Sequence, residues 1–109
     1  MADILARAIL IASLMTVPVT KALAQTPMIG LGGQRCGAWT ANGSADGGVG
    51  LLYQQWIYGF LSSSAERDPD LLKDIDANVI KGWLDNYCAN NSAERFLDAA
   101  KAFVRERRR

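Results

Sequence analysis

Apolar positions in the second half of the chain recur at helical spacing. Val79, Trp83 and Tyr87 fall four apart, and Ile80, Leu84 and Cys88 repeat the interval one step round. This double series predicts a helix over residues 79–88 that buries two adjoining strips. Residues 51–62 predict a second helix. Leu52, Trp56, Gly59 and Phe60 make its main stripe, widened by Tyr53, Ile57 and Leu61. Gly59 costs such a helix about 1 kcal/mol relative to alanine, and a close helix crossing would account for its presence. Ser62, Ser63 and Ser64 then let the helix end. A third series, Phe96, Ala100, Phe103 and Val104 with Leu97 beside them, predicts a final helix from about residue 92 to residue 107.

The segments between these series carry start and stop signals. Asp68-Pro69-Asp70 reads as a helix start, with Asp68 as cap and Pro69 at the first helical position, giving one or two turns through Lys73. Asp76 is the expected cap of the Trp83 helix. Asn91 with Glu94 has capping-box spacing for the last helix. Arg105, Arg107, Arg108 and Arg109 follow as a solvated tail that compensates the helix dipole. Residues 42–50 hold four glycines and predict a loop. Cys36 and Trp39, three apart, suit one helical turn with both side chains inward, and Trp39 reads as core. No stretch alternates long enough to predict a strand.

The start of the chain changes the context. Residues 1–24 have the layout of a secretory signal: Arg7, a run over residues 8–17 that is apolar apart from Ser13 and Thr16, the breaker Pro18, and Ala22-Leu23-Ala24 before Gln25. That run is too short for a bilayer span, which needs about 20 residues. Residues 25–34 read as a flexible lead-in and residues 35–109 as the helical domain. The whole chain has 12 basic and 11 acidic residues. Arg7, Lys21 and Asp3 lie in the signal, so ten of each remain and the mature net charge is zero. Such a balance lacks the basic field of a nucleic-acid binder. Two cysteines in a small secreted chain read as one disulfide, Cys36–Cys88. With no histidine and no CxxC spacing, the competing reading as free thiols or a metal pair is weak.

A search for chemistry finds little. Without histidine the usual general base is missing, and no serine stands in a nucleophile elbow. Asp68, Asp70, Asp74 and Asp76 cluster, but an EF-hand spacing is absent and caps and loop residues explain them more simply. Gly47 to Gly50 lacks the lysine of a phosphate loop. The expectation is a non-enzymatic protein without cofactor or metal. The excess is aromatic: Trp39, Trp56, Trp83, Tyr53, Tyr58, Tyr87, Phe60, Phe96 and Phe103. Tyr58 falls off its helix's main stripe and suits a protein–protein surface.

A cysteine followed three residues later by an aromatic (Cys36, Trp39) precedes an amphipathic helix with Trp56 and Gly59-Phe60. An acidic loop then leads to a helix ending in Tyr87-Cys88, followed by Asn90-Asn91 and a last helix over residues 96–104. This arrangement resembles the HdeA/HdeB family of small periplasmic acid-stress chaperones and their uncharacterised relatives. Ser92 stands where relatives often carry proline. The resemblance implies an all-α, single-domain bundle of three main helices plus one or two short ones, stapled by one disulfide. It implies a periplasmic protein whose carboxylates lose charge in acid, so that self-repulsion loosens packing or a homodimer. Apolar helix faces then meet unfolding client proteins. Trp56, Tyr58, Phe60, Trp83 and Tyr87 are the expected contacts for client or partner. The layout is also similar to that of periplasmic immunity proteins, which block a type VI secretion cell-wall hydrolase. That alternative implies one specific partner at neutral pH. Neither reading involves nucleic acid or a membrane span once the signal is removed.

Overall fold

The computed structural model describes residues 27–45 and 47–108; the signal-peptide reading of residues 1–24 lies outside the described residues. A 3₁₀ turn, Leu31–Gly33, precedes α1 (Cys36–Ala38), which continues as a π turn over Trp39–Gly43. Three longer helices follow: α2 (Gly48–Ala65), α3 (Ala77–Asn90) and α4 (Phe96–Arg107). Among the described residues there is no strand, and Cys36 and Cys88 form a disulfide. The all-α bundle with one staple is therefore the observed architecture.

Local chemistry explains most boundaries. α2 starts three residues earlier than the apolar pattern predicts, inside the glycine-rich segment. Gly47 has φ +78 and Gly48 has φ +55, a left-handed entry that side chains disfavour. Gln54 of α2 reaches back to the loop, its Nε2 donating to the carbonyls of Gly43 and Ala45 at 3.1 and 3.0 Å. At the other end the serines do not stop the helix. Ser64 Oγ donates to the Phe60 carbonyl at 3.0 Å, a bond internal to the helix, and α2 runs to Ala65. Asp76 caps α3 as expected, accepting the Val79 N–H at 3.0 Å.

Two expected helical pieces are absent. Residues 68–73 form overlapping turns in place of a short helix, with i+3 bonds from Leu71 to Asp68, Lys73 to Asp70 and Ile75 to Leu72. A piece this short gains too few bonds to offset helix nucleation. The carbonyls of Leu71 and Lys73 are instead taken by Arg107, whose Nε and Nη2 donate at 3.2 and 3.0 Å. Leu71 itself drops into the core. The last helix begins at Phe96, four residues later than the apolar spacing predicts, because residues 92–96 pair with the chain around Cys36. Cys36 N–H donates to Glu94 O at 2.6 Å, Gly37 N–H to Ser92 O at 3.0 Å, and Phe96 N–H to Gln34 O at 2.7 Å. The N-terminus of α4 is held not by an Asn91–Glu94 box but by Asp98, which accepts the Arg95 N–H at 3.3 Å.

α4 is the inner element. Phe96, Leu97, Ala99, Ala100, Ala102, Phe103 and Val104 are all buried, and the helix lies against both α2 and α3. Phe96, fully buried, is the hub. Trp39 stacks on it at 5.4 Å between centroids, Tyr53 meets it edge-on at 5.5 Å, and Trp56 tilts against it at 5.4 Å. Aromatic pairs in these geometries add about 0.5–1.5 kcal/mol each beyond their area.

The hub rotates two helices away from the expected faces. In α2 the buried strip is Tyr53, Ile57 and Leu61, while Leu52 is 59% exposed and Trp56 and Phe60 are half-buried. In α3 Ile80, Leu84 and Cys88 are buried, while Val79 is 49% exposed and Trp83 and Tyr87 are half-buried. Each helix carries two apolar strips, so periodicity does not choose between them; the position of Phe96 and of the disulfide does. The expected close crossing at Gly59 does not occur. A methyl there would meet nothing within 4 Å, and nothing in the structure explains that glycine. Close approaches occur instead at Gly32, where a methyl would overlap the Trp56 indole, at Gly43 against the Trp39 ring, and at Gly50 against the Ala45 carbonyl.

Candidate functional site

The five expected contact residues lie on α2 and α3, the two helices packed against α4, and four of them form two stacked aromatic pairs. On α2, Trp56 stacks on Phe60 at 5.6 Å and leans on Phe96, with the Gly32 turn over the indole. Tyr58, on the same helix, rests half-buried against the core margin. On α3, Trp83 stacks on Tyr87 at 4.9 Å and meets Phe103 edge-on at 5.3 Å. No ring contact joins the two patches among the described residues; α4 lies between them, contributing Phe96 to one and Phe103 to the other.

The polar edges of the α3 patch are held by carboxylates. Trp83 Nε1–H donates to Glu106 Oε2 at 2.7 Å, and Tyr87 O–H donates to Glu94 Oε2 at 2.6 Å. Deeper in, Trp39 Nε1–H donates to Asp85 Oδ1 at 2.9 Å. Hydrogen bonds to an ionised acceptor are shorter and roughly twice as strong as neutral ones. The bond to Glu94, with partial burial and the Glu94 charge, pushes the Tyr87 phenol up to about 12 from 10.0, against the opposing charge of Arg105. Because the folded value is the higher one, this contribution is complete below pH 10 and is lost as pH rises through about 12.

Asp98 is the perturbed carboxyl. Partial burial opposes its ionisation, but the Arg95 side-chain hydrogen bond, the Arg95 charge and backbone N–H, and Lys101 together hold it below its usual 3.8. It pairs with Arg95 at 3.2 Å while capping α4. Its contribution is present above pH 3.8 and is lost as pH falls through the lower, folded value.

The acidic run disperses. Asp68 pairs with Arg108 at 3.3 Å, Asp76 caps α3, and Asp74 adopts φ 59 at a turn. Among the described residues no three His, Cys, Asp or Glu side chains converge as metal ligands, and no helix is long and apolar enough to cross a membrane.

Sequence reasoning missed two features. Val49, Leu51 and Leu52 form an exposed apolar group at the start of α2; the extension of that helix into the glycines hides the signal. The C-terminal arginines are more than a solvated tail, since Arg107 and Arg108 tie α4 to the 66–76 connection. Arg109 lies outside the described residues. No family model, curated protein or solved structure matches the chain.

Proposed function

We propose that this protein is an acid-responsive chaperone of the bacterial periplasm, non-enzymatic and HdeA/HdeB-like in its working. The observation that carries the reading is that two of the expected client contacts, Trp83 and Tyr87, are held by carboxylates, as is the buried Trp39. Glu106 holds Trp83, Glu94 holds Tyr87, and Asp85 holds Trp39. Ordinary carboxylates lose their charge near pH 4. Acid therefore strips negative charge from the chain as a whole, and the basic residues are left to repel one another. The Cys36–Cys88 disulfide does not titrate, so the helices stay tethered while the Trp83–Tyr87 patch loosens toward unfolding clients.

The test is a pH titration of the oxidised protein from neutral to about pH 2, spanning the carboxylate range. Tryptophan fluorescence and a hydrophobic dye report opening, and an aggregating client reports protection. Reversible opening with protection is the expected result. Glu94→Gln with Glu106→Gln moves the opening to higher pH. A fold that stays closed, or opens without protecting the client, sinks the reading.

A second reading rests on Val49, Leu51 and Leu52, which are exposed in the closed fold. A standing apolar surface suits one specific partner at neutral pH, as in an immunity protein that blocks a cell-wall hydrolase. Stoichiometric neutral-pH binding that Leu52→Asp abolishes would favour it.

A further inference from the structure

A groove of about 440 Å³ runs between the C-terminal halves of α2 and α4. Phe60 and Val104 line it with apolar surface, Ser63 and Ser64 with hydroxyls, and Arg67, Lys101, Arg105 and Arg108 with positive charge. The spacing explains the convergence. Phe60 and Arg67 lie seven apart on α2 and its extension, while Lys101, Arg105 and Arg108 fall at i, i+4 and i+7 on α4, so each set shares a face.

Among the described residues, only Arg108 of the four cations has a carboxylate within salt-bridge distance, Asp68 at 3.3 Å. Both helices end here, and their carbonyl termini bring about half a negative charge each. Arg67, Lys101 and Arg105, which have no salt bridge among the described residues, outnumber that charge, although Lys101 also acts on Asp98 and Arg105 on Tyr87. Dipole compensation therefore accounts for only part of this positive charge. The groove's volume falls within the roughly 300–1,000 Å³ of small-ligand sites. Guanidinium forks match the geometry of phosphate and carboxylate oxygens. Apolar surface from Phe60 and Val104 beside them suits an anion that carries an apolar body.

We propose that this groove binds an amphipathic phosphate monoester or diester, with its oxyanion on Arg67, Lys101 and Arg105 and its apolar substituent over Phe60 and Val104. The ligand chemistry is shared by a free phosphate ester and by the headgroup region of an anionic phospholipid. The site is separate from the Trp83–Tyr87 patch and does not depend on the chaperone reading.

The experiment is a titration of ¹⁵N-labelled oxidised protein at neutral pH with phenyl phosphate, with phenol as the neutral control. Parallel sedimentation uses vesicles with and without phosphatidylglycerol. Saturable shifts around Phe60, Lys101 and Val104, with phenol at least tenfold weaker, are expected. Arg67→Gln, Lys101→Gln and Arg105→Gln combined weaken binding at least tenfold. These side chains are exposed and make no tertiary hydrogen bond among the described residues, and an unchanged thermal midpoint checks that the variant folds. Asp68→Asn, which frees Arg108, tightens binding two- to threefold. Co-sedimentation with the anionic vesicles that the triple variant abolishes assigns the headgroup as source; shifts without co-sedimentation assign a free ester. Equal binding of phenol and phenyl phosphate, or wild-type affinity in the triple variant, overturns the proposal.

Discussion

Where α4 begins, the chain is fixed by a disulfide, by backbone bonds of 2.6 and 2.7 Å between the Cys36 segment and residues 94–96, and by three rings around Phe96. Where α4 ends, the 66–76 connection is fixed by Leu71 in the core, by Arg107 on two carbonyls, and by the exposed Arg108–Asp68 pair. The first set of links is covalent, backbone or dry. The second depends largely on side chains that water and salt can compete for. A protein built this way can open at one end and stay assembled at the other.

The largest test of that contrast is Phe96→Ala. Loss of a fully buried phenyl in contact with three aromatic rings is expected to cost about 3–5 kcal/mol by denaturant unfolding. Cys36→Ser with Cys88→Ser comes next. The cysteines are 52 positions apart, and a loop of this size is worth about 4 kcal/mol on the chain-entropy account. Calorimetry of the oxidised and double-serine proteins checks it.

Arg107→Met keeps the stem and removes both carbonyl bonds, and is expected to cost about 1 kcal/mol. Hydrogen exchange should quicken over residues 71–75 while residues 96–100 stay protected. Equal loss of protection at both ends would break the contrast. Smaller still is the acid response of Asp98. The stability difference between the protein and Asp98→Asn should be constant above pH 3.8 and shrink below it. At the alkaline side, Tyr87→Phe should flatten the loss of stability that the wild type shows between pH 10 and about 12.

The helices of this protein were legible because each carries its own apolar series and, for α3, its own cap. Asp76 is such a case: cap and capped N–H lie three residues apart. The final helix starts four residues later than its apolar series predicts because its start is decided by Gln34 and Cys36, about sixty positions away. Of the candidate contacts, the aromatic residues themselves were visible, but not their division into two patches. Glu106, which holds Trp83, gives no signal in the sequence at all. The spacing of Glu94 to Asn91 suggests a capping box, and only the folded chain turns Glu94 toward Tyr87.

Short-range chemistry therefore settled what kind of elements form: all-α, with Cys36 joined to Cys88, since periodicity and caps act within a few residues and two cysteines have one pairing. Tertiary structure decided which strip of α2 and α3 faces inward, that Phe96 is the hub, and that Arg107 holds a connection in place of a helix. Those outcomes turn on contacts between residues far apart in sequence. Two equally apolar strips on one helix are degenerate until a partner surface chooses between them.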